Sequence, residues 1–329
     1  GGIRVSSGTT TTLTDMVIRG NTATSTFDAG GGLWNQGTLT LDSSTVSDNS
    51  AVGDGGGLWN GSNGPEPATI TNSTISGNMA SRGGGLFFYW TGSEVKYSTV
   101  SNNHATAGAG IFSREFINTQ LRSSLVAGNA GGEDLVGAGA ANNSFHSFGH
   151  NLIGGGNGSG AFNLASDQVI GAAGDPRLGP LADNGGPTPT HALLFGSPAM
   201  EGGNPSVSNP PSLDQRGSDR IVGTIDIGAF ERGLSDPLTP MVDTLIDEDD
   251  GDFSPGDLSL REAIGVAQAD SSIDTIEFAS GLGGTIQLQL GVLDISDDVA
   301  IDGPGADELT IDAQGNSRVM HVQGGASLQ

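Results

Sequence analysis

Cysteine is absent from this chain of 329 residues, and lysine occurs only once, at Lys96. The lack of cysteine excludes disulfide bridges, cysteine nucleophiles and cysteine metal ligands. A single lysine also excludes a series of lysine-based crosslinks within the chain. Aromatic residues make up only 5% of the sequence, and no apolar run is long enough to cross a bilayer. We therefore expect no membrane span in this segment.

Positive charge is scarce. The chain has 12 basic and 37 acidic residues and a formal net charge of −25. Such a surface repels phosphate backbones and anionic lipids, which excludes nucleic acid as an expected partner and disfavours polyanionic glycans. High acidity favours solubility and suits an extracellular or salty setting.

Two short phrases recur at a period of 25 to 29 residues. Copies of the first are Gly30–Asn35, Gly55–Asn60, Gly83–Phe87 and Gly108–Phe112. Copies of the second are Ser44–Asn49, Ser73–Asn78, Ser98–Asn103 and Ser124–Asn129. A unit of this length cannot enclose a core of its own, so the repeats must stack on their neighbours.

Within each repeat the apolar residues alternate with polar ones, as in Thr38–Leu41, Thr69–Thr71 and Glu94–Tyr97. Alternation with β-branched residues predicts strands, and the glycine triplets between them predict tight corners. The fold class predicted is therefore all-β, a parallel β-helix with one coil per repeat.

Stacking of coils about 4.8 Å apart predicts that equivalent residues form columns along the axis. The members of an internal apolar column are Leu33, Leu58, Leu86 and Ile111. The members of a polar column, in which side-chain amides bond from coil to coil, are Asn49, Asn78, Asn103 and Asn129. Both columns are interpreted as structural.

After the fifth repeat the two phrases no longer recur, and the sequence becomes rich in turn-forming residues. Five segments carry a resemblance: Phe148–Gly154, Asp175–Leu194, Gly196–Ala199, Asp214–Gly217 and Asp226–Glu231. In their residues and in their order along the chain, these segments resemble the choice-of-anchor Q domain of large bacterial surface proteins. The repeats are similar to those of polymorphic outer membrane proteins. The resemblance covers about residues 1 to 231 and implies a right-handed parallel β-helix at the cell surface.

The tail carries a second resemblance, because Asp250–Ile264 is similar to the CSLREA motif that begins many such β-helices. Phe253 and Leu258 stand where that family usually carries cysteines, so an apolar contact would replace the family's disulfide. The motif here follows the anchor-Q-like segment, whereas in the family it precedes the solenoid. The order implies the end of one module followed by the start of another.

These observations predict four segments. Residues 1–165 form β-helix coils with repeats of 25–29 residues, and residues 166–232 form an anchor-Q-like closing segment. Residues 233–257 form an acidic linker, and residues 258–329 start the next β-helix module. The chain opens on Gly1 and stops at Gln329 inside a strand-like pattern, so we expect it to be part of something longer.

No catalytic constellation is legible, and we expect no enzyme activity and no catalytic residue. The five histidines are scattered, and acids such as Asp42 lie at strand edges where Asp is usually a cap or a solvated charge. One cation site is suggested by an acidic run, and Ca²⁺ is the ion suited to its oxygen ligands. Its candidate ligands are Asp247, Asp249, Asp250, Asp252 and Asp257.

A solvated acidic linker is an equally good reading of that run. Next to it, Arg261 and Glu262 are expected to form a capping ion pair rather than a catalytic one.

The function predicted is structural: a bacterial cell-surface or extracellular β-helix, acting as scaffold or adhesin, with copies of itself end to end as partners. Those copies are joined either in a covalent tandem or in a fibre. Two alternatives stay open. One is a carbohydrate-active, pectate-lyase-like β-helix with a clustered groove of Asp and Arg. The other is a surface-glycan-binding module, for which exposed Trp34, Trp59 and Trp90 on one flank would be the sign.

Overall fold

The computed structural model describes residues 1–25, 30–61, 66–89, 92–114, 118–138, 144–204, 210–221, 223–233, 240–250, 256–269 and 275–329. The chain forms two compact units. Unit 1 holds residues 1–193 and 197–233, and unit 2 holds residues 194–196 and 234–329. Across the described ranges, none of the helical structure is long and apolar enough to cross a membrane.

Unit 1 is built from three parallel sheets. The first sheet contains β1 (Ile3–Val5), β5 (Leu33–Asn35), β9 (Leu58–Asn60), β12 (Leu86–Phe88), β15 (Ile111–Ser113) and β18 (Leu135–Gly137). The second contains β2 (Thr10–Thr14), β6 (Thr38–Asp42), β10 (Ala68–Thr71), β13 (Glu94–Lys96), β16 (Thr119–Arg122) and β19 (Phe145–Ser147). The third contains β3 (Val17–Arg19), β7 (Thr45–Ser47), β11 (Thr74–Ser76), β14 (Thr99–Ser101), β17 (Leu125–Val126), β20 (Leu152–Ile153) and β21 (Gln168–Val169). A further parallel pair joins β4 (Thr22–Ala23) to β8 (Ser50–Ala51).

Neighbouring strands of these three sheets come from successive repeats and pair in parallel. In the first sheet, for example, Leu33 is aligned with Leu58 and Leu86 with Ile111. The architecture is thus a parallel β-helix, and the predicted fold class is confirmed.

The core lies between the sheets and consists of stacked apolar columns. Leu33, Leu58, Leu86 and Ile111 are all fully buried, as the repeat predicts. A second column contains Leu41, Ile70, Val95 and Leu121, and a third contains Ile18, Val46, Ile75, Val100, Val126 and Ile153. Because each coil adds one residue to each column, the core continues without a break through the stacked coils.

The glycine triplets form the corners before the first sheet. Gly83, the first residue of its triplet, has φ +61°, a backbone conformation that favours glycine. At Gly84 a Cβ atom would lie 2.6 Å from the carbonyl oxygens of both Ala109 and His104. Close approach of backbones from successive coils therefore requires glycine at this corner.

The end of unit 1 is irregular. A 3-10 helix (Ser159–Ala161) is followed by Phe162, which is buried in the core and lies 6.3 Å from the ring of Phe145. These residues cover the last coil. Farther on, β22 (Leu178–Ala182) and β23 (Thr190–Leu193) form an antiparallel pair within the predicted closing segment of residues 166–232.

Unit 2 begins with β24 (Met241–Val242) and α1 (Leu260–Ala269). Two coils follow, with strands β25 (Thr275–Phe278), β26 (Gly284–Gln287), β27 (Leu293–Ile295), β28 (Ala300–Asp302), β29 (Leu309–Asp312) and β30 (Met320–Val322). The parallel sheets have the orders β24-β25-β28, β26-β29 and β27-β30. Since β24 already belongs to a sheet, part of the predicted linker of residues 233–257 lies within the fold of unit 2.

Helix α1 starts with a capping box. The amide of Ser259 donates to Glu262 Oε2 at 3.1 Å, and the amide of Glu262 donates to Ser259 Oγ at 3.1 Å. Leu260, Ala263 and Ile264 are buried on the face that packs against the first coil of unit 2. Leu258 just before the helix is fully buried, whereas Phe253 lies outside the described residues.

Candidate functional site

The predicted asparagine column is a continuous ladder of hydrogen bonds inside unit 1. Asn78 Oδ1 accepts from the amide of Asn49 at 3.0 Å and from its Nδ2 at 2.9 Å, and Asn78 Nδ2 donates to Asn103 Oδ1 at 2.9 Å. Asn103 repeats the pattern with Asn129. The ladder thus satisfies one corner amide on each coil, which is a structural role.

The ladder ends on a residue that only accepts hydrogen bonds. Asp134 Oδ1 accepts from the amide of Asn129 at 2.9 Å and from its Nδ2 at 2.8 Å. At the other end, Asn21 donates its amide and its Nδ2 to Asn49 Oδ1. A carboxylate is suited to the terminal place because its Oδ2 also accepts from the amide of Gly155 at 2.9 Å, so only acceptors are needed there.

A second polar ladder was missed by the sequence reasoning. The amides of Met16, Ser44, Ser73 and Ser98 each donate to the Oγ of the serine one coil later, at 3.0 to 3.4 Å. The column contains Ser44, Ser73, Ser98 and Ser124 and continues to Asn151. Its signal was present, because these serines open the second repeat phrase.

The outer face of the first sheet carries an aromatic column, in which β-sheet register aligns Trp34 with Trp59 and Phe87 with Phe112. Trp59 is only 4% exposed and Phe87 is fully buried, since Tyr89 stacks on both rings at about 6 Å. Trp59 is therefore not exposed in the way that a glycan-binding flank of tryptophans would require. Trp34 is half-buried under the guanidinium of Arg4, and Trp90 lies outside the described residues.

The closing segment covers the outer face of the third sheet. Gln215 Oε1 accepts from Thr74 Oγ1 at 2.6 Å, while its Nε2 donates to Thr45 Oγ1 at 2.9 Å. The amide of Ala229 donates to Thr99 Oγ1 at 3.0 Å. Threonines that would face water on an open sheet are thus buried and paired.

The two histidines of the resembling phrases are both hydrogen-bonded. His191 lies between Ser76 Oγ, 2.8 Å from its Nε2, and the carbonyl oxygen of Gly179, 2.7 Å from its Nδ1. Because only Nδ1 faces a pure acceptor, Nδ1 carries the proton and Nε2 accepts from the serine. Burial lowers the pKa of His191. His150 Nδ1 lies 3.0 Å from the carbonyl oxygen of Gly202.

Buried charge holds the closing segment together. Arg220 is fully buried and donates to the carbonyl oxygen of Gly228 and to Asn72 Oδ1, both at 2.8 Å. Burial lowers the pKa of Arg220, and Glu231, whose carboxylate lies 3.9 Å away, opposes that shift. Arg216 pairs with Asp214 at 2.9 Å. These carboxylates have basic and amide partners, so they are committed to the fold.

One groove of about 430 Å³ runs between the corner of the second sheet and the closing segment. Asp15 and Asp42, from adjacent coils, line it together with Pro187, Pro211 and Leu213. Burial raises the pKa of Asp42, and the neighbouring charge of Asp15 raises it further. Asp42 is half-buried rather than a simply solvated strand-edge acid, which the sequence did not indicate.

The acidic run of unit 2 is divided by the fold. Asp247 pairs with Arg261 through Nε at 2.8 Å and Nη2 at 3.1 Å, and its Oδ2 also accepts from the amides of Gln289 and Leu290. Burial opposes ionisation of Asp247, but the Arg261 hydrogen bond and the two amides outweigh it and lower its pKa.

The other predicted cation ligands are not gathered around Asp247. Asp249 and Asp250 are exposed, Asp257 is half-buried, and Asp252 lies outside the described residues. Over the described part of the chain, no group of three His, Asp or Glu side chains is placed to hold a metal ion.

Arg261 and Glu262 do not pair with each other, which corrects that expectation. Arg261 binds Asp247 and donates to the carbonyl oxygens of Gly291 and Val292. Glu262 completes the capping box and accepts from the amide of Asp250 at 3.1 Å. The two neighbouring side chains of α1 therefore bind different partners, Arg261 the carboxylate of Asp247 and Glu262 the backbone amides.

Comparisons with known proteins found no match: no family model, no curated protein and no solved structure is significantly similar to this chain. The likeness to choice-of-anchor Q and CSLREA proteins accordingly stays a prediction that rests on the phrases quoted above.

Proposed function

We propose that this chain is a structural module of an extracellular, bacterial cell-surface protein. It catalyses no reaction, acts as a scaffold or adhesin, and joins further β-helix coils end to end, either in a covalent tandem or in a fibre of copies. Support comes from the outer faces of unit 1. Residues that suit ligand binding by type, the aromatic and threonine columns, are instead packed under Tyr89 and Gln215.

The observation that carries the proposal is that each unit has one covered end and one open end. In unit 1, Phe162 covers the last coil, whereas Ile3 and Leu13 of the first coil are inward-facing but only half-buried. In unit 2, α1 packs on the first coil. Within residues 1–329 the uncovered coils are the first of unit 1 and the last of unit 2, and further β-helix coils, of the same chain or of a copy, would cover them.

The last coil of unit 2 exposes apolar side chains of its inward face. Ile295 is fully buried, but its aligned neighbour Val322 is 39% exposed. Ile301, Ile311 and Met320 on the same coil are half-exposed. Covering the exposed half of one such side chain is worth about 1 kcal/mol. Unpaired strand edges add a further drive towards association.

A matched pair of substitutions in β29 tests the proposal. Ile311→Lys places a charge in the open apolar column, whereas Thr310→Lys adds the same charge on the outward face one residue away. We expect the unmodified chain to form elongated assemblies that grow with concentration. Ile311→Lys should abolish them and Thr310→Lys should leave them intact. Sedimentation velocity and electron microscopy give the readout, with circular dichroism to check folding.

Monomers at all concentrations, or assemblies that persist in folded Ile311→Lys, would contradict the fibre of copies and favour the covalent tandem. We propose separately that Ca²⁺ binds at the acidic run of unit 2, because that run is the only candidate cation site that the sequence suggested. Titration of the metal-free chain with Ca²⁺ by calorimetry tests that part, and absence of a heat change would remove it.

A carbohydrate-active or glycan-binding module is the second candidate function, and the groove at Asp15 and Asp42 is the observation that favours it. Two carboxylates of which one has a raised pKa suit acid–base chemistry on a glycosidic bond or hydrogen bonds to sugar hydroxyls. Screening the chain and Asp42→Asn against neutral oligosaccharides tests this candidate. Turnover or binding that disappears in the folded variant would favour it over a purely structural role.

A further inference from the structure

A patch of polar, basic and aromatic side chains lies on the outer face of the second sheet, at the strands β13, β16 and β19. In β13 and β16 the inward residues Val95 and Leu121 are fully buried, and the residues on either side of them face outwards. The members of the patch are Glu94, Lys96, Gln120, Arg122, His146 and Phe148. All of them are half-buried or exposed, and we call this group the Arg122 patch.

The charges of the Arg122 patch are not balanced. Sheet register places Lys96 directly opposite Arg122, and like charges in such positions destabilise a sheet. Glu94 pairs with Lys96 at 3.0 Å, whereas the guanidinium of Arg122 makes no ion pair with any residue that the structure describes. A bound acidic group would therefore relieve a local excess of positive charge, in a chain whose net charge is −25.

Phe148, which follows β19 directly, places an aromatic ring beside Arg122. The guanidinium carbon lies 5.1 Å from the centroid of that ring, and the His146 ring meets it edge-on at 4.8 Å. Stacking on the ring orients the guanidinium. Phe148 is still 41% exposed, so the patch combines an oriented guanidinium with an apolar surface that a ligand can contact.

The other side chains offer hydrogen bonds of both kinds. Lys96 Nζ has three donors, of which one is directed at Glu94. The Glu94 carboxylate accepts, and the side-chain amide of Gln120 both donates and accepts. A sugar residue suits this mixture, because its hydroxyl groups donate and accept while its C–H face is apolar.

The charge and the sheet narrow the class of ligand. Strands β13 and β16 are hydrogen-bonded on both edges, so an extended peptide finds no free edge to join at Lys96 or Arg122. The net charge of −25 repels a long polyanion. A neutral sugar would leave Arg122 without a partner. A single carboxylate on an otherwise neutral sugar satisfies all three conditions.

We propose that the Arg122 patch binds a glycan residue that carries one carboxylate. The carboxylate accepts from Arg122 and Lys96, the hydroxyl groups bond to Glu94 and Gln120, and the C–H face contacts Phe148. This inference rests on the adhesin part of the proposed function and names the ligand class and the site.

Two matched pairs of sugars test the inference on the unmodified chain. Sialyllactose and methyl glucuronide each carry one carboxylate, and lactose and methyl glucoside are their neutral counterparts. We expect an acidic member to bind about tenfold more tightly than its counterpart, which is the factor that hydrogen bonds to a charged group supply. Ligand-observed NMR titration measures the dissociation constants, and the acidic sugar that binds identifies the source of the carboxylate.

Substitutions of Arg122 locate the site. Arg122→Gln removes the charge and should abolish the preference for the acidic sugar, whereas Arg122→Lys keeps the charge without the paired donors and should retain part of it. Arg19→Gln is the matched control, because Arg19 is an exposed arginine on the outer face of the third sheet. This control should leave the preference unchanged. Circular dichroism checks that each variant is folded.

Equal binding of acidic and neutral sugars, no binding of either, or an undiminished preference in folded Arg122→Gln would overturn the inference. Binding of a short oligoglutamate peptide in place of the sugars would assign the patch to an acidic peptide instead.

The outcome is distinguishable from failure of the proposed function. Absence of sugar binding leaves the joining of coils, which Ile311→Lys tests, unaffected. Loss of the preference in Asp42→Asn but not in Arg122→Gln would place the sugar in the groove and overturn the Arg122 patch as its site.

Discussion

Removing one amide from the middle of the asparagine ladder should destabilise unit 1 strongly. Asn78 is fully buried, and its side chain accepts two hydrogen bonds from Asn49. Its Nδ2 donates to the carbonyl oxygens of Val46 and Ser76 and to Asn103 Oδ1, and because an amide has two N–H groups, one of them is shared between two acceptors. Asn78→Ala removes all of these bonds at once.

The magnitude follows from what is left behind. Asn49 Nδ2 still reaches the carbonyl oxygen of Ile18 at 2.8 Å, and Asn103 Oδ1 still accepts from the amide of residue 78 at 3.0 Å. The amide of Asn49 loses its acceptor, and a buried unsatisfied donor costs about 1–3 kcal/mol. With the small cavity left by the missing amide, we expect a loss of about 2–4 kcal/mol in the free energy of unfolding.

Guanidinium unfolding followed by tryptophan fluorescence measures this loss, because all three tryptophans belong to the repeats of unit 1. Asn21→Ala is the matched control at the end of the ladder, where the side chain is half-exposed. Water can replace its bonds, so we expect a cost below about 1 kcal/mol. Equal losses for Asn78→Ala and Asn21→Ala would refute the reasoning.

Asn78→Asp distinguishes the contribution of the hydrogen bonds that this side chain accepts from that of the bonds that it donates. The new carboxylate would still accept from Asn49 but would face the carbonyl oxygen of Val46 and Asn103 Oδ1 without a proton. Its pKa in the folded state would be raised, so the variant should regain stability as the pH falls and lose it as the pH rises through that pKa. A loss of stability that is the same at all pH values would contradict this account.

Two further predictions concern the corners and the closing segment. Gly84→Ala should destabilise unit 1 by about 1–3 kcal/mol because its Cβ would lie 2.6 Å from the Ala109 oxygen, whereas Gly265→Ala, at an exposed position of α1 with open space around it, should stabilise unit 2 by about 0.5–1 kcal/mol. His191 has a lowered pKa when folded, so the unfolded chain binds its proton more readily, and stability should fall as the pH drops below the ordinary histidine pKa of about 6.5.

Thermal unfolding measures both. The two glycine variants should move the melting of their units in opposite directions, and a shift of Gly84→Ala in the stabilising direction would contradict the close approach of the coils. His191→Gln should flatten the decline in melting temperature between pH 7.5 and 5. An undiminished decline in that variant would show that other groups cause it.

Much of unit 1 is legible in the repeats. Leu33, Leu58, Leu86 and Ile111 recur in one phrase, and the structure stacks them into one buried column. The asparagine ladder follows from the second phrase in the same way. These contacts are predictable because a coil places each residue next to its own equivalent.

The candidate sites were less legible. Thr45 and Thr74 look like solvent-facing strand residues, yet Gln215 covers both of them. Asp247 resembles a calcium ligand in its acidic run, but Arg261, fourteen residues later, occupies its carboxylate. The raised pKa of Asp42 depends on burial in the groove beside the closing segment and on the neighbouring charge of Asp15.

The division has a physical cause. Sequence by itself determined the coils, their register and their internal columns, because each such contact joins residues one repeat apart and is written again in every repeat. Tertiary structure alone decided which outward faces are covered. The bond between Ser76 and His191 spans 115 residues and that between Thr45 and Gln215 spans 170. No periodicity specifies such contacts, since they form only where an irregular segment finds complementary hydrogen-bonding groups on the finished solenoid.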